Sequence, residues 1–251
     1  MREIEGAERD ALLVKILRGI ETAQQVGPHR HGMWERAWSE PKPAVQYAAN
    51  ADGVCRIDGK LYHAPGHEAA HLKKLLHGVA LRHMDGIECM REYGCGQGHN
   101  LEFMTARKDV RGIGYDWAQS AVDAVRGRGM EAYTFDMFNP PMAEWDRPHL
   151  ALTVHALEQL GGDCWPMLEY LMASRPTVCV HIEPVYELYD PHNLLDRLAM
   201  LYHKKRSYLI GFLPMLQELE KAGRVEILEA RRTYVGSLFH EAYSVVCWRL
   251  C

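Results

Sequence analysis

Apolar residues between positions 9 and 25 recur at Leu12, Leu13, Ile16, Leu17 and Ile20. That spacing draws one apolar face along a helix and predicts one there. The next stretch, GPHRHGMWERAWSEPKP, mixes Gly, Pro, His and Trp without a period and reads as loop with a short helix. A small hairpin is expected from Val54 to Tyr62, turning at Asp58-Gly59, because that dipeptide tolerates the positive φ values of a tight turn. Helical spacing returns between Gly66 and His83 through Leu72, Leu75, Leu76, Val79 and Leu81.

From about residue 86 the texture changes to short apolar runs separated by helical segments. The expected strands are Ile87 to Tyr93, Arg111 to Tyr115, Glu131 to Phe135, Leu150 to Val154 and Val178 to Ile182. Such alternation builds βαβ units and a parallel sheet. A long helical region follows residue 193 and carries Pro214, which must open a new helix or kink the old one. Two last strands, Val225 to Arg231 and Tyr243 to Leu250, are expected to pair as a hairpin at the sheet edge. The fold class is therefore α/β, a doubly wound and mostly parallel seven-stranded sheet with helices on both faces and a C-terminal antiparallel hairpin. Residues 1–85 are read as an N-terminal helical extension and residues 86–251 as the main domain.

Composition narrows the function classes. With 47% hydrophobic and 25% charged residues in 251 positions, the chain has enough apolar material for one substantial core. A net charge of −4 supplies no global attraction to nucleic acid or anionic lipid, so neither a nucleic-acid nor a membrane partner is expected. No apolar run approaches the roughly 20 residues needed to cross a bilayer, and the N-terminus lacks the basic-then-apolar order of a secretory signal. A cytoplasmic location is the expectation. Seven scattered cysteines without a CxxC pair point to reduced, packed thiols. A homodimer is compatible with all of this. His63, His67 and His71 recur every four residues, but Pro65-Gly66 interrupts the helix that would align them, and no metal site is assigned.

The chemistry concentrates in Glu92-Tyr-Gly94-Cys-Gly96-Gln-Gly98-His-Asn100, which follows one expected strand and precedes the helical run LEFMTAR. Glycines there allow positive φ and close approach of backbone to a ligand. Alternate glycines depart from the GxGxxG of dinucleotide sites, and no Gly-Lys-Ser/Thr follows as in a phosphate-binding P-loop. A plain tight turn is the competing reading.

These residues resemble the first motif of the class I S-adenosylmethionine-dependent methyltransferases, acidic-x-Gly-x-Gly-x-Gly. The resemblance extends to Asp116 in GIGYDWAQ, 22 residues after Gly94, and to Asp136 in AYTFDMF. It implies that Asp116 takes the ribose hydroxyls and Asp136 the adenine amino group, with Met137 against the ring. Thr153, Val154 and His155 would neighbour the transferable methyl. The implied cofactor is S-adenosyl-L-methionine. Its candidate site comprises Glu92, Gly94, Cys95, Gly96, Gly98, Asn100, Asp116, Trp117, Asp136, Met137, Val154 and His155. Asp116 also reads as a helix N-cap, and the two roles are compatible.

His155 and Glu183 are the candidate bases if the acceptor must lose a proton. Glu158, Glu183, Tyr186, Tyr189, Tyr202 and Arg206 are the candidate substrate-binding residues, with ordinary interface aromatics as the competing reading of the cluster. Trp34, Trp38 and Tyr47 suit a lid over the site. Asn139-Pro140-Pro141 follows the third strand and is read as a turn. The activity implied is methyl transfer to an O or N nucleophile of a small molecule, with a sugar or peptide-like metabolite next in line. A noncatalytic partner subunit of the same fold and a protein methyltransferase stay open beside it.

Overall fold

The computed structural model describes residues 1–40, 53–106, 110–143 and 147–251; Tyr47 lies outside them. In chain order the elements are β1 (Arg2–Glu3), α1 (Gly6–Thr22), α2 (His31–Trp38), β2 (Val54–Ile57), β3 (Lys60–His63) and α3 (His67–His83). Then come β4 (Cys89–Tyr93), α4 (His99–Thr105), β5 (Arg111–Asp116), α5 (Gln119–Gly127), β6 (Glu131–Thr134), β7 (His149–Val154) and α6 (Trp165–Ser174). The chain ends with β8 (Val178–Glu183), α7 (Leu194–Arg206), α8 (Phe212–Lys221), β9 (Val225–Arg231), β10 (Val235–Gly236) and β11 (Ser244–Leu250). Pro214 sits in the first turn of α8, where its missing N–H costs no helical hydrogen bond.

Seven strands form one sheet in the order β6-β5-β4-β7-β8-β11-β9, with β4 to β8 parallel and β11 antiparallel to both neighbours. The α/β class, the mostly parallel sheet and the C-terminal pair are as expected from the sequence. Both faces are buried, and residues alternate between them as a pleated strand requires. Met90, Leu152, Val180 and Val245 face α3, α4 and α5. Tyr93, Ala151, Cys179, Val246 and Trp248 face α6 and α8. Helix α3, although it precedes residue 86, thus covers the large sheet.

The N-terminal region is not helical throughout. Strands β1, β3, β2 and β10 make a small antiparallel sheet in that order. The β2–β3 turn has φ +49 at Asp58 and +72 at Gly59, the pair of positive values its dipeptide suggested. Strand β10 comes from the loop between β9 and β11, so the small sheet is closed by a segment about 180 residues away in sequence. A buried ionic network anchors it: Asp196 on α7 accepts from Arg56 on β2 at 3.0 Å and from Arg232 at 2.8 Å, and Arg232 reaches Glu241 at 2.6 Å.

One buried polar chain lies on the α6/α8 face of the large sheet. The indole of Trp248 can only donate, so His181 Nε2 accepts at 2.9 Å, and His181 Nδ1–H then donates to Thr153 Oγ1 at 2.9 Å. Burial lowers His181 to about 3 and keeps it neutral.

Candidate active site

Strand β4 ends beneath the turn that carries Gly94, Gly96 and Gly98, with φ of +74, +51 and +77. A Cβ on Gly94 would also stand 2.4 Å from the Ala156 methyl, so the turn admits no side chain there. The amides of Gly94 and Cys95 both donate to the Tyr115 carbonyl, at 2.7 and 3.0 Å. Asp116 ties the loop to the next helix: its carboxylate accepts from Gly96 N at 2.9 Å and Ala118 N at 3.0 Å. Burial raises Asp116 to about 6 while those amides pull the other way. Glu92 is fully buried and accepts from Asn100 Nδ2 at 2.9 Å; burial pushes it up to about 8. Cys95 packs its thiol against Gly114 in the core beside Leu101.

Helix α2 covers this loop. Trp34 and Trp38 stack at 5.7 Å, and the Trp38 ring lies where a Cβ on Gly96 would come within 3.2 Å of it. The clasp is polar. Helix α5 starts after Ala118, a residue with no capping side chain, and Glu35 of α2 supplies one from outside by accepting from Gln119 N and Ser120 N at 2.8 and 2.9 Å. Gln97 Nε2 donates to the carbonyls of Trp38 and Glu40 at 3.0 and 2.7 Å, and His31 Nε2 lies 3.0 Å from the Trp117 carbonyl.

Two adjoining cavities open under that cover, sharing Trp34, Trp38, Gly94, His155 and Gln159 as walls. The first is an apolar slot completed by Asp116, Trp117, Met137, Phe138 and Ala156. The second, about 420 Å³, is lined by the loop from Gly94 to Gln97, by Asn100, Val154 and Glu158, and by Arg206, Tyr208, His240 and Tyr243. Its size is that of a small-molecule site. An aromatic slot ending in a carboxylate suits a nucleoside, and a larger cavity beside it suits a tail plus a second reactant.

His155 stands at the junction, in the left-handed region at φ +54. The chain turns sharply here because Glu183, at the end of β8, accepts from Ala156 N at 3.1 Å and Leu157 N at 3.2 Å. His155 Nδ1 lies 3.5 Å from Glu158, and among the described residues its Nε2 has no hydrogen-bond partner. Burial alone would lower the imidazole, yet Glu158, helped by Glu183 and Glu68, holds it up to about 9. Glu158 is correspondingly held below the usual carboxylate range by His155, whereas burial and its neighbour Glu158 push Glu183 upward. The arrangement at neutral pH is an imidazolium–carboxylate pair beside a protonated acid.

The cavities bring together most of the residues singled out from the sequence. Gly94, Cys95, Gly96, Asn100, Asp116, Trp117, Met137, Val154, His155, Glu158 and Arg206 line one or both. Glu92 and Gly98 line neither. Asp136 is exposed, caps Phe138 N at 2.9 Å, and lines a separate cleft with His31, Trp117 and Thr134. Glu183 is buried under the His155 turn. Tyr189 is buried and donates to the Glu241 carbonyl at 2.8 Å, Tyr186 packs beside His203, and Tyr202 stacks on Phe239. Thr153 turns to His181 rather than to the cavity. Sequence reasoning missed Phe138, Gln97, Glu35, His240 and Tyr243. Phe138 adjoined a flagged residue and Gln97 lay inside the glycine loop, but Glu35, His240 and Tyr243 carry no local signal.

Among solved structures this chain is similar to the cyclase SpnF, at TM-score 0.60 and 14% identity over 91% of this chain and 97% of that one. It is similar to a geranyl diphosphate methyltransferase in complex with GPP and sinefungin, at TM-score 0.56 and 10% identity over 87% and 98%. An O-methyltransferase from neocarzinostatin biosynthesis, in complex with S-adenosylmethionine and 2-hydroxy-5-methyl naphthoic acid, matches at TM-score 0.51 and 16% identity over 96% and 69%. Likeness at this identity shows a shared fold, the Rossmann-like fold of class I methyltransferases. No family model matches the sequence, and no curated protein matches it. Among the described residues no helix is long and apolar enough to cross a membrane.

Proposed function

We propose, from a chain with the class I methyltransferase fold, that the paired cavities hold S-adenosylmethionine and a small acceptor, and that the protein transfers a methyl group to an O or N nucleophile. The observation that carries this reading is the apolar slot between Gly94 and Phe138 with the Asp116 carboxylate in its wall. Each Asp116 oxygen accepts one amide and keeps acceptor capacity for a ribose hydroxyl. Trp117, Met137 and Phe138 offer apolar surface to an adenine ring. The loop from Gly94 to Gln97 and Asn100 line the cavity where a methionine tail would lie. When bound, the cofactor supplies an electrophilic methyl on a sulfonium.

The chain's own work is then positioning. Trp34 and Trp38, pinned by Glu35 and Gln97, exclude water from the reacting pair. His155 keeps its proton at neutral pH, so it acts as a hydrogen-bond donor toward the acceptor, and Glu158 holds that charge. Glu183 is a positioning residue that sets the turn carrying His155. Neighbours solved with a naphthoic acid or geranyl diphosphate support a small-molecule acceptor over a protein.

A noncatalytic or differently acting member of the fold is the second reading, because the cyclase neighbour shows that fold alone does not select methyl transfer. Calorimetry with S-adenosylmethionine and S-adenosylhomocysteine tests the first step, and micromolar binding of both is expected. Failure of both to bind would overturn the proposal. Methyl release to a pooled set of small acids, phenols and amines then separates a transferase from a binding module.

A further inference from the structure

Arg206 ends α7 and lays its guanidinium along the larger cavity. The group lies 5.0 Å from the Tyr208 ring centroid and 6.0 Å from that of Tyr202. Its Nε is buried without a hydrogen-bond partner, and no carboxylate among the described residues pairs with it. Glu158, the acid that shares its wall, is engaged by His155 at 3.5 Å and by Gln159 Nε2 at 3.0 Å. A partly buried guanidinium with an unmet donor is an unfavourable arrangement for a fold to keep unless something satisfies it.

Charge and shape on this wall point the same way. Glu158 is balanced by the His155 imidazolium, which leaves Arg206 as a net positive charge. The planar fork of arginine matches the two oxygens of a carboxylate or phosphate better than any neutral group. Around it the wall is built of flat faces, Trp34, Trp38, Tyr208, Tyr243 and the His240 ring. Such surfaces pack against a ring.

Building on the methyltransferase reading of this site, we propose that the acceptor is a small flat-ring compound carrying a carboxylate or phosphate, whose oxyanion is taken by Arg206. The ring lies between the anion and the nucleophilic hydroxyl or amine, so Arg206 sets which ring position meets the methyl donor. Selectivity then comes from one charge-assisted contact, and a neutral analogue of the same shape leaves Arg206 unmet.

Full-length protein saturated with S-adenosylhomocysteine is titrated with salicylate, 2-hydroxy-1-naphthoate, their primary amides and 1-naphthyl phosphate. The expected result is that at least one acid or the phosphate binds about ten-fold or more tightly than the neutral amide of the same ring. A carboxylate-only or phosphate-only response identifies which oxyanion is used. Arg206→Gln should bring acid and amide to within about three-fold, Arg206→Lys should restore part of the preference, and both should bind S-adenosylhomocysteine within about two-fold of the parent. Equal binding of acids and amides, or binding of none of the probes, overturns the inference while leaving the cofactor reading standing. Loss of S-adenosylhomocysteine affinity in Arg206→Gln with the acid preference intact also overturns it, by assigning the guanidinium to the methionine carboxylate. A parent protein that binds no S-adenosylhomocysteine overturns the methyltransferase reading instead.

Discussion

On the glycine-loop side of the cavity the wall is backbone, while on the far side it is side chains gathered from distant segments. Gly94 to Gly98 lie within five consecutive residues, and their conformation follows from φ values that only glycine adopts without strain. Arg206, Tyr208, His240 and Tyr243 come from the end of α7, the segment after it and the loop before β11. Their placement depends on the network joining Arg56, Asp196, Arg232 and Glu241, which ties the small sheet to α7. One half of the site is local geometry; the other is a consequence of tertiary packing.

That contrast makes the two halves separable by mutation. The largest effect is expected from Asp196→Ala, which strips a buried acid from two arginines and should cost about 3–5 kcal/mol of stability, read as a shift in the denaturant midpoint. S-adenosylhomocysteine affinity of the protein that remains folded should stay within about three-fold of the parent. A matching collapse of cofactor binding would mean the halves are not independent. Gly94→Ala should do the reverse, costing about 3 kcal/mol through left-handed strain and overlap with Ala156, seen as roughly a hundred-fold loss of S-adenosylhomocysteine affinity. Unchanged affinity would remove the loop from the cofactor site.

A smaller effect comes from pH. Glu92 is raised to about 8, Glu183 is also raised, and His155 is raised to about 9. Groups with raised folded values stabilise fully at low pH and lose that contribution as pH climbs through them. Thermal unfolding temperature should therefore fall from about pH 4.5, where the unfolded carboxyls ionise, to about pH 9, where His155 loses its proton. His181, lowered to about 3 by burial, acts oppositely and costs stability as pH falls below about 6.5. Glu183→Gln keeps an acceptor for the Ala156 and Leu157 amides and cannot ionise, so it should flatten part of the alkaline fall. An unaltered slope would show that Glu183 does not carry the proton.

The smallest effect is expected at the clasp. Glu35→Ala removes the outside cap of α5 and should cost about 1 kcal/mol, with faster release of S-adenosylhomocysteine in stopped-flow displacement. A stable variant with an unchanged release rate would show that α2 does not gate the cavity.

Legibility in the sequence follows the same division. The strands of the large sheet fall within two residues of their expected ends, because short apolar runs bounded by polar turns declare themselves locally. Asp116 was legible as both helix cap and ligand candidate, since it follows a strand and precedes a helix at a fixed distance from the loop. Glu183 was legible as unusual, but its purpose was not: the sequence shows a carboxylate at a strand end, and only the fold shows that backbone amides of the neighbouring crossover occupy it. Tyr186 and Tyr189 looked like cavity residues from their composition and instead pack behind α7.

By itself the amino-acid sequence determined the α/β class, the order of strands and helices, the glycine turn and the acid that follows it, because periodicity and turn chemistry act over a few residues. Only the tertiary structure decided that α2 caps α5 through Glu35, that β10 closes a sheet begun at the N-terminus, and that Arg206 faces a cavity with no described carboxylate paired to it. Those features are contacts between segments far apart in the chain. Each is set by which surfaces the core forces together, and no local pattern of residues carries that information.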